Sequence, residues 1–378
     1  MMHVAILGCG QLARLMAEAG EKLDIRFTFV SIENESSDCV NHLGKVVHWH
    51  KGMSGEALLQ VIGNPDVITV ERESIDTRLL FELSMSCPVS PSPEVIATCQ
   101  HRLKEKQGLT KLNIPVTPWQ LVSDRESLFE AVEKFGFPLI IKACENGYDG
   151  KNQWHLKNAQ HLDLLIKEHE PKDWIAEPYI NFIKEASLIG VRSACGEVQF
   201  YPVTENFHES GILKHSIAPL EEVPERQILA MQKSLNKLMS AWQYVGVMTM
   251  EMFLTDEGFM VNELAPRVHN SGHWTKDSDV TCQFENHLRA ILGKPLGKTE
   301  SPSYKGMINL LGKGDEFPNI SLPDGSLYLY GKKPRAGRKL GHINMVDSNR
   351  QSLIRRMSQL ERIIDSASSV GHSSVDNR

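Results

Sequence analysis

Met250-Glu251-Met252-Phe253-Leu254-Thr255-Asp256-Glu257-Gly258-Phe259-Met260-Val261-Asn262-Glu263, running on through Leu264-Ala265-Pro266-Arg267-Val268-His269-Asn270-Ser271-Gly272-His273-Trp274-Thr275, reads as a hairpin with a polar tail. An apolar run carrying one carboxylate, Glu251, turns through the polar tetrad Thr255 to Gly258 and returns to a second, Glu263. The turn centre falls between Asp256 and Glu257, so the register brings Glu251 beside Asn262 and Glu263. Two carboxylates and an amide on rigid strands form a hard-oxygen set suited to Mg²⁺. For two glutamates alone, a salt-bridged hairpin is the commoner meaning. The crowd of Arg267, His269, Asn270, Ser271, His273 and Trp274 is not what binary patterning places in a purely structural segment, and it shifts the balance toward a site.

A chain of 378 residues predicts two or three domains. With 41% hydrophobic and 23% charged residues it has the composition of a soluble globular protein, and a net charge of -6 gives no support for a nucleic-acid partner. Seven cysteines, odd in number and never spaced C-x-x-C, point to reduced thiols in a cytoplasmic protein without a zinc site. The first apolar run lacks a basic flank and breaks at Gly8 and Gly10, so no signal peptide is expected. No apolar stretch reaches the length of a membrane span.

His3 to Leu7 is a short apolar strand, followed by Gly8-Cys9-Gly10-Gln11-Leu12-Ala13 and a helix with Leu12, Leu15, Met16 and Ala19 on one face. Strand, glycine turn and helix in that order match the G-x-G-x-x-G/A arrangement. A second strand, Phe27 to Val30, leads to Glu33, about where a ribose-binding acid of a dinucleotide fold would stand. A nicotinamide oxidoreductase is therefore one reading of this end. The same turn serves any doubly wound domain that holds a phosphate or packs a helix on a strand. Val67 to Val70, with Glu71 and Glu73 behind it, is a later strand of the same sheet.

Further on, Ser123-Asp124-Arg125-Glu126 predicts a capping box, and Leu128, Phe129, Val132 and Phe135 form the apolar stripe of the helix it starts. Leu139 to Lys142 is a strand that sets Lys142 on the face of Ile140. Such a lysine is costly unless it meets an anion, although a snorkelling strand end is the plainer account. The glycine-containing loop from Glu145 to Gln153 follows directly, and its backbone N–H groups are able to cover phosphates. A plain hairpin turn explains it equally well. Asp173 to Ile180 reads as an extended interdomain linker whose backbone meets an adenine edge while Ile180 covers the ring, with Glu185 in reach of a ribose. Tyr201 to His208 ends a strand in a polar cluster, where a histidine is more often satisfied than catalytic. Gly331 to His342 gathers Lys332, Lys333, Arg335, Arg338 and Lys339, ordinarily a solvated basic turn. Opposite an anionic ligand it becomes a phosphate clamp.

Taken in order, these motifs resemble the ATP-grasp superfamily and, within it, the 5-(carboxyamino)imidazole ribonucleotide synthases of purine biosynthesis. The resemblance runs from GCGQLARL (8–15) to KKPRAGRKLGHIN (332–344). It is carried most specifically by NGYDGKNQ (146–153), YPVTENFHESGIL (201–213) and NELAPRVHNSGHWT (262–275). It implies an α/β protein in three parts: an N-terminal doubly wound pre-ATP-grasp domain (1–101), a central α+β ATP-grasp domain (102–297) with a small lid at about 139–200, and a C-terminal α+β cap (298–365). The serine-rich end, 366–378, is expected to be disordered.

The resemblance further implies ATP-dependent carboxylation with bicarbonate, with ATP and Mg²⁺ as cofactors, in a cytoplasmic homodimer that binds small molecules and neither nucleic acid nor membrane. Arg102 and Lys142 would contact the ATP phosphates under the loop Gly147, Tyr148, Asp149, Gly150, Lys151, Asn152 and Gln153. Glu177, Pro178, Tyr179 and Ile180 would hold adenine, Glu185 the ribose, and His208 the nucleotide region. Glu251 and Glu263 would hold Mg²⁺, with Asn262 alongside. Asp149, Arg267, Asn270 and Ser271 would line the pocket of carboxyl transfer. Gly10, Gln11 and Leu12 would face the ribonucleotide, whose 5′-phosphate Lys332, Arg335 and Arg338 would grip. Asn146 and Asn152 stand where the family loop usually has glycine, and Ala13 replaces the usual glycine of the first turn. An idle nucleotide-binding relative is the reading that Asn146 and Asn152 suggest, against the intact charged positions. His269 and His273 as an i, i+4 metal pair is disfavoured by Asn270-Ser271-Gly272, which are poor helix formers.

Overall fold

Four parallel strands open the chain in a computed structural model that describes residues 1–33, 35–145, 152–314 and 324–369, with backbone only for 366–369. They are β1 (Met2–Leu7), β2 (Ile25–Ile32), β3 (Lys45–Trp49) and β4 (Val67–Val70), ordered β3-β2-β1-β4. Helices α1 (Gln11–Gly20), α2 (Gly55–Ile62), α3 (Thr77–Ser84) and α4 (Pro93–Cys99) accompany them. Alternate residues of β1 feed two cores. Val4 and Ile6 pack with Leu12, Leu15 and Met16 of α1, while Ala5 and Leu7 pack with Leu58, Leu79 and Leu80. Burial on both faces is what a parallel sheet requires.

Helix α5 (Arg102–Lys111) leads into a small antiparallel sheet, β5-β8-β6-β7, made of β5 (Gln120–Val122), β6 (Leu139–Ala143), β7 (Gln153–Leu156) and β8 (Trp174–Pro178). It is covered by α6 (Arg125–Phe135) and α7 (Ala159–Glu168). The capping box of α6 exists one residue later than the sequence suggests: Asp124 accepts from Ser127 N–H, and Ser127 returns the bond. Phe129, assigned to the buried stripe, is 52% exposed, because Leu128 and Ala131 take the inward face. The stretch 173–180, expected as a linker, instead contributes β8 to the interior of this sheet.

A nine-stranded sheet forms the remainder, in the order β14-β13-β9-β11-β12-β15-β17-β16 with β10 beside β9. Its strands are β9 (Lys184–Arg192), β10 (Val198–Phe200), β11 (Thr204–Glu209), β12 (Ile212–Ala218), β13 (Gly246–Thr255), β14 (Gly258–Ala265), β15 (Tyr304–Leu311), β16 (Ser326–Leu329) and β17 (Lys339–Asp347). Helices α8 (Glu225–Ala241), α9 (Gln283–Ile291) and α10 (Arg350–Ser369) pack against it. β9 and β10 fall within the range expected for the lid, yet they pair into this sheet, so the separate small sheet spans 120–178. The expected C-terminal cap is continuous with the central part, since β15 pairs with β12 through His215 and Ile308. Helix α10 runs through Ser369, so the expected tail begins as helix, and 370–378 lie outside the described residues.

Candidate active site

The hairpin β13–β14 turns at Asp256 and Glu257, with Thr255 paired to Gly258. Its register sets Glu251 opposite Glu263 but Met252 opposite Val261, so Asn262 is the extra residue of a β-bulge. Strict alternation would put Glu263 on the core face with buried Val261. The bulge resets the period and turns Glu263 to the face of Glu251. His269 Nε2 donates to Glu251 Oε1 at 2.7 Å, and Ser271 N–H donates to His269 Nδ1 at 3.3 Å. Burial pushes the Glu251 carboxyl up in pKa, but His269, His208 and Arg267 outweigh it and hold the group down at about 2. Glu263 accepts from Arg102 at 3.0 Å. The pair fits a divalent cation: hard anionic oxygens, directly opposed, on one face of paired strands.

Around the carboxylates stands a ring of cations. Arg102 opens α5, and Lys106 follows one turn later on the same helix face. Lys142 of β6 donates to Asn262 Oδ1 at 3.1 Å and to Glu177 Oε2 at 2.5 Å, while Lys106 reaches Glu177 Oε1 at 2.6 Å. Burial works against a charged Glu177, yet the two lysines hold its pKa far below the ordinary carboxylate range. The side chain of Glu177, expected near adenine, is thus committed to lysines, and its backbone pairs with Ile140 in the β6–β8 ladder. Tyr179 is 53% exposed next to it. Glu185 of β9 accepts from His208 Nδ1 at 2.5 Å, which brings those two expected residues together. Burial lowers the His208 pKa and Glu185 more than restores it, so the net shift is upward.

Lys142 pairs with Gln153 across β6–β7, so the loop connects two paired strands, the first of which carries the lysine. Gly147, Tyr148, Asp149, Gly150, Lys151 and also Asn146 lie outside the described residues. Asn152, at the edge of the loop, has φ 52°, a left-handed conformation that glycine adopts more easily.

Arg267 does not stand alone: its guanidinium grips Glu73, with Nε to Oε2 at 2.5 Å and Nη2 to Oε1 at 3.2 Å. Burial opposes ionisation of Glu73, but Arg267 wins and keeps its pKa low. Asn270 is tied in a reciprocal amide pair with Asn309 at 3.0 and 2.7 Å. Ser271 is fully buried and bonded to Ser187 at 2.7 Å, so it stands behind His269 instead of on the cleft surface. Residues Asn270–Asp277 form a 3₁₀ run that turns His273 into the core, away from His269.

At the N-terminal turn the occupant of the helix end is internal. Glu71 accepts from Gly10 N–H at 2.7 Å and from Ala13 N–H at 3.0 Å. A Cβ on Gly8 would lie 2.3 Å from Glu71 Cγ, and on Gly10 2.6 Å from Glu71 Oε1, so these glycines make room for a carboxylate. Burial and neighbouring Glu35 push the pKa of Glu71 up. An anion at this helix end satisfies the amides that a dinucleotide would use, and Glu33 sits exposed in a turn. The oxidoreductase reading therefore fails. Lys332 hydrogen-bonds Gln11 Oε1 across 321 residues of chain, bringing the basic C-terminal segment to the turn. Arg338 donates to Lys333 O at 3.0 Å, and Arg338 N–H to Arg335 O, which folds the segment on itself.

Sequence reasoning passed over Lys106, Glu71 and Glu73 as site residues. A signal existed for each. Arg102 and Lys106 are cations one turn apart on a helix with no apolar stripe, and the two glutamates follow the carboxyl end of a strand in a doubly wound sheet, where ligands gather.

Three family models match the chain: a ribonucleotide synthetase preATP-grasp domain over residues 1–100, an ATP-grasp domain over 107–284, and a phosphoribosylaminoimidazole carboxylase C-terminal domain over 306–356. The N5-carboxyaminoimidazole ribonucleotide synthase of Vibrio vulnificus (strain YJ016) is 38% identical over 376 residues, 96% of each chain. The crystal structure of the N5-carboxyaminoimidazole ribonucleotide synthetase from Thermus thermophilus superposes with TM-score 0.87 at 34% identity, covering 95% of this chain and 98% of that one. A similar structure from Aspergillus clavatus, in complex with ADP and 5-aminoimidazole ribonucleotide, has TM-score 0.86 at 27% identity, covering 97% and 99%.

Proposed function

This chain belongs to the N5-carboxyaminoimidazole ribonucleotide synthase family, and we propose that its cleft joins three substrates through a carboxyphosphate intermediate. It is an ATP-dependent ligase that carboxylates 5-aminoimidazole ribonucleotide in purine biosynthesis. Bicarbonate is a poor electrophile. Attack of its oxygen on the γ-phosphorus releases ADP and makes a mixed anhydride, whose carbonyl carbon the substrate amine attacks, losing a proton and expelling phosphate.

The observation that carries this reading is the bulge that turns Glu263 beside Glu251 under Arg102 and Lys142. Arg102 and Lys142 neutralise charge during phosphoryl transfer, as the catalytic economy of such reactions requires. Glu251 and Glu263, with Asn262 alongside, would hold Mg²⁺, which supplies further charge neutralisation at the phosphates. Glu185 and His208 face the ribose, and the segment Glu177, Pro178, Tyr179 and Ile180 the adenine. Arg267, braced by Glu73, holds the carboxylate anion where the amine reaches it. Asn270 and Ser271 shape the floor beneath His269. Gly10, Gln11 and Leu12 face the ribonucleotide, and Lys332, Arg335 and Arg338 bind its 5′-phosphate. Gly147 to Gln153, including Asp149, close over the nucleotide and keep water from the anhydride.

The domain limits we assign are 1–101, 102–297 and 298–365, in a cytoplasmic homodimer; among the described residues no helix is long and apolar enough to cross a membrane. ADP release measured with bicarbonate, with and without the ribonucleotide, tests the activity. ADP formation matched by carboxylated product is expected. ADP formation indifferent to the ribonucleotide, without product, overturns the reading.

A further inference from the structure

Three buried charges meet behind the hairpin: Lys106, Glu177 and Lys142. Glu177 splits its carboxylate between two directions: Oε1 accepts from Lys106 at 2.6 Å and from Thr117 Oγ1 at 2.7 Å, and Oε2 accepts from Lys142 at 2.5 Å. The two lysines differ in how fully they are used. The Lys106 ammonium has three partners (Glu177, Thr117 Oγ1 at 2.5 Å and Asn262 O at 2.8 Å), which uses all its donors, and its side chain is 1% exposed. Among the described residues Lys142 has two, Glu177 and Asn262 Oδ1, and its side chain is 9% exposed. One ammonium is sealed and saturated; the other, among the described residues, keeps a donor.

The partners also come from different sheets. Lys142 and Glu177 sit on β6 and β8 of the small sheet, whereas Asn262 is the bulge residue of β14 in the large one. Lys106 rides on α5, and Thr117 donates its backbone N–H to Val261 O at 3.1 Å, anchoring it to β14. A saturated buried ammonium has nothing left to give a ligand, but it fixes what it holds. We propose that Lys106 is a positioning residue of the nucleotide site: with Thr117 it locks the Glu177 carboxylate so that its second oxygen holds the Lys142 ammonium at Asn262, ready for the terminal phosphate. This rests on the assignment of Lys142 to the phosphates. Without Lys106, the whole charge of Glu177 falls on Lys142 and draws it from the phosphate.

Steady-state kinetics separate the possibilities. Lys142→Ala first tests the underlying assignment: unchanged ATP KM and kcat there discard the role of Lys142 itself, and with it the proposal. With that role upheld, Lys106→Met raises the ATP KM about tenfold to a hundredfold and leaves the ribonucleotide KM within about twofold. Because Lys106 acts through Glu177, the double variant Lys106→Met/Glu177→Gln is no worse for ATP than Glu177→Gln alone. Losses that multiply in the double variant, or equal rises in both KM values, overturn the positioning role. Should Lys106→Met fail to fold because it strands a buried carboxylate, Thr117→Val removes the second bond to Oε1 without changing charge. A smaller but still ATP-selective rise upholds the proposal there, and a rise shared by both substrates rejects it.

Discussion

Glu251 and Glu263 carry the metal assignment, and their chemistry makes it testable at single residues. Glu251→Gln keeps the shape of the side chain but removes an anionic ligand, and it leaves His269 with a weaker acceptor. Turnover at limiting Mg²⁺ is expected to fall by orders of magnitude while the circular-dichroism spectrum is retained. Wild-type turnover across an Mg²⁺ titration removes the assignment. Arg338 is the other decisive residue. Its guanidinium donates to a backbone carbonyl in its own turn, so its loss disturbs little of the fold. Arg338→Ala is expected to raise the ribonucleotide KM about tenfold to a hundredfold, equivalent to roughly 1.5–3 kcal/mol for a lost charge-assisted bond. A loss confined to ATP returns the segment to a solvated turn.

The hairpin β6–β7 sets the behaviour of the loop at the element scale. Asn152 ends the loop at φ 52°, where asparagine is strained by about 1 kcal/mol relative to glycine. Asn152→Gly relieves that strain and loosens the hairpin without removing a backbone donor. Coupled turnover is expected to persist while the ratio of ADP formed to carboxylated product rises above one, since a looser cover admits water to the anhydride. The ratio is read by pairing an ADP assay with product quantification by mass; a ratio unmoved from wild type rejects the link between backbone strain and water exclusion. Much at this scale was legible in advance. The turn at Asp256-Glu257, the strand carrying Lys142 and the helix after the glycine turn all follow from local pattern. The bulge at Asn262 did not, because an extra residue in one strand is visible only against its partner.

His287 ties the whole molecule together. Its Nδ1 accepts from Val247 N–H at 3.1 Å, so Nε2 carries the proton and donates to Thr69 Oγ1 at 2.8 Å, joining α9 and the start of β13 to β4 of the N-terminal sheet. Burial alone pushes its pKa down from 6.5 to about 4. The folded state thus resists a proton that the unfolded chain accepts. Its stabilising share is full above pH 6.5 and is lost as pH falls from 6.5 to about 4, amounting to about 3 kcal/mol by that point. His273 and His342, likewise buried and lowered well below 6.5, add to the same slope. Glu251 and Glu177, both depressed, extend it below pH 4.5. The melting temperature is expected to drop through the window from pH 6.5 to 4, and His287→Gln to start lower at neutral pH but fall less steeply. A variant slope equal to wild type removes His287 from the account.

By itself the sequence determined what neighbouring residues settle between themselves: the hairpin turn that brings Glu251 back beside Asn262, the glycine turn before α1, and the family to which the motifs belong. These depend on backbone geometry over a few residues, which side-chain size and periodicity report directly. Only the tertiary structure decided which charge answers which. Glu71 at the end of α1, Glu73 on Arg267, Lys332 on Gln11 and Lys106 on Glu177 are partnered across 58, 194, 321 and 71 residues of chain (Glu177 less Lys106 for the last). The sequence shows that a buried charge is costly and must be met. Which distant residue meets it depends on the order in which strands join their sheets, and no local pattern carries that order.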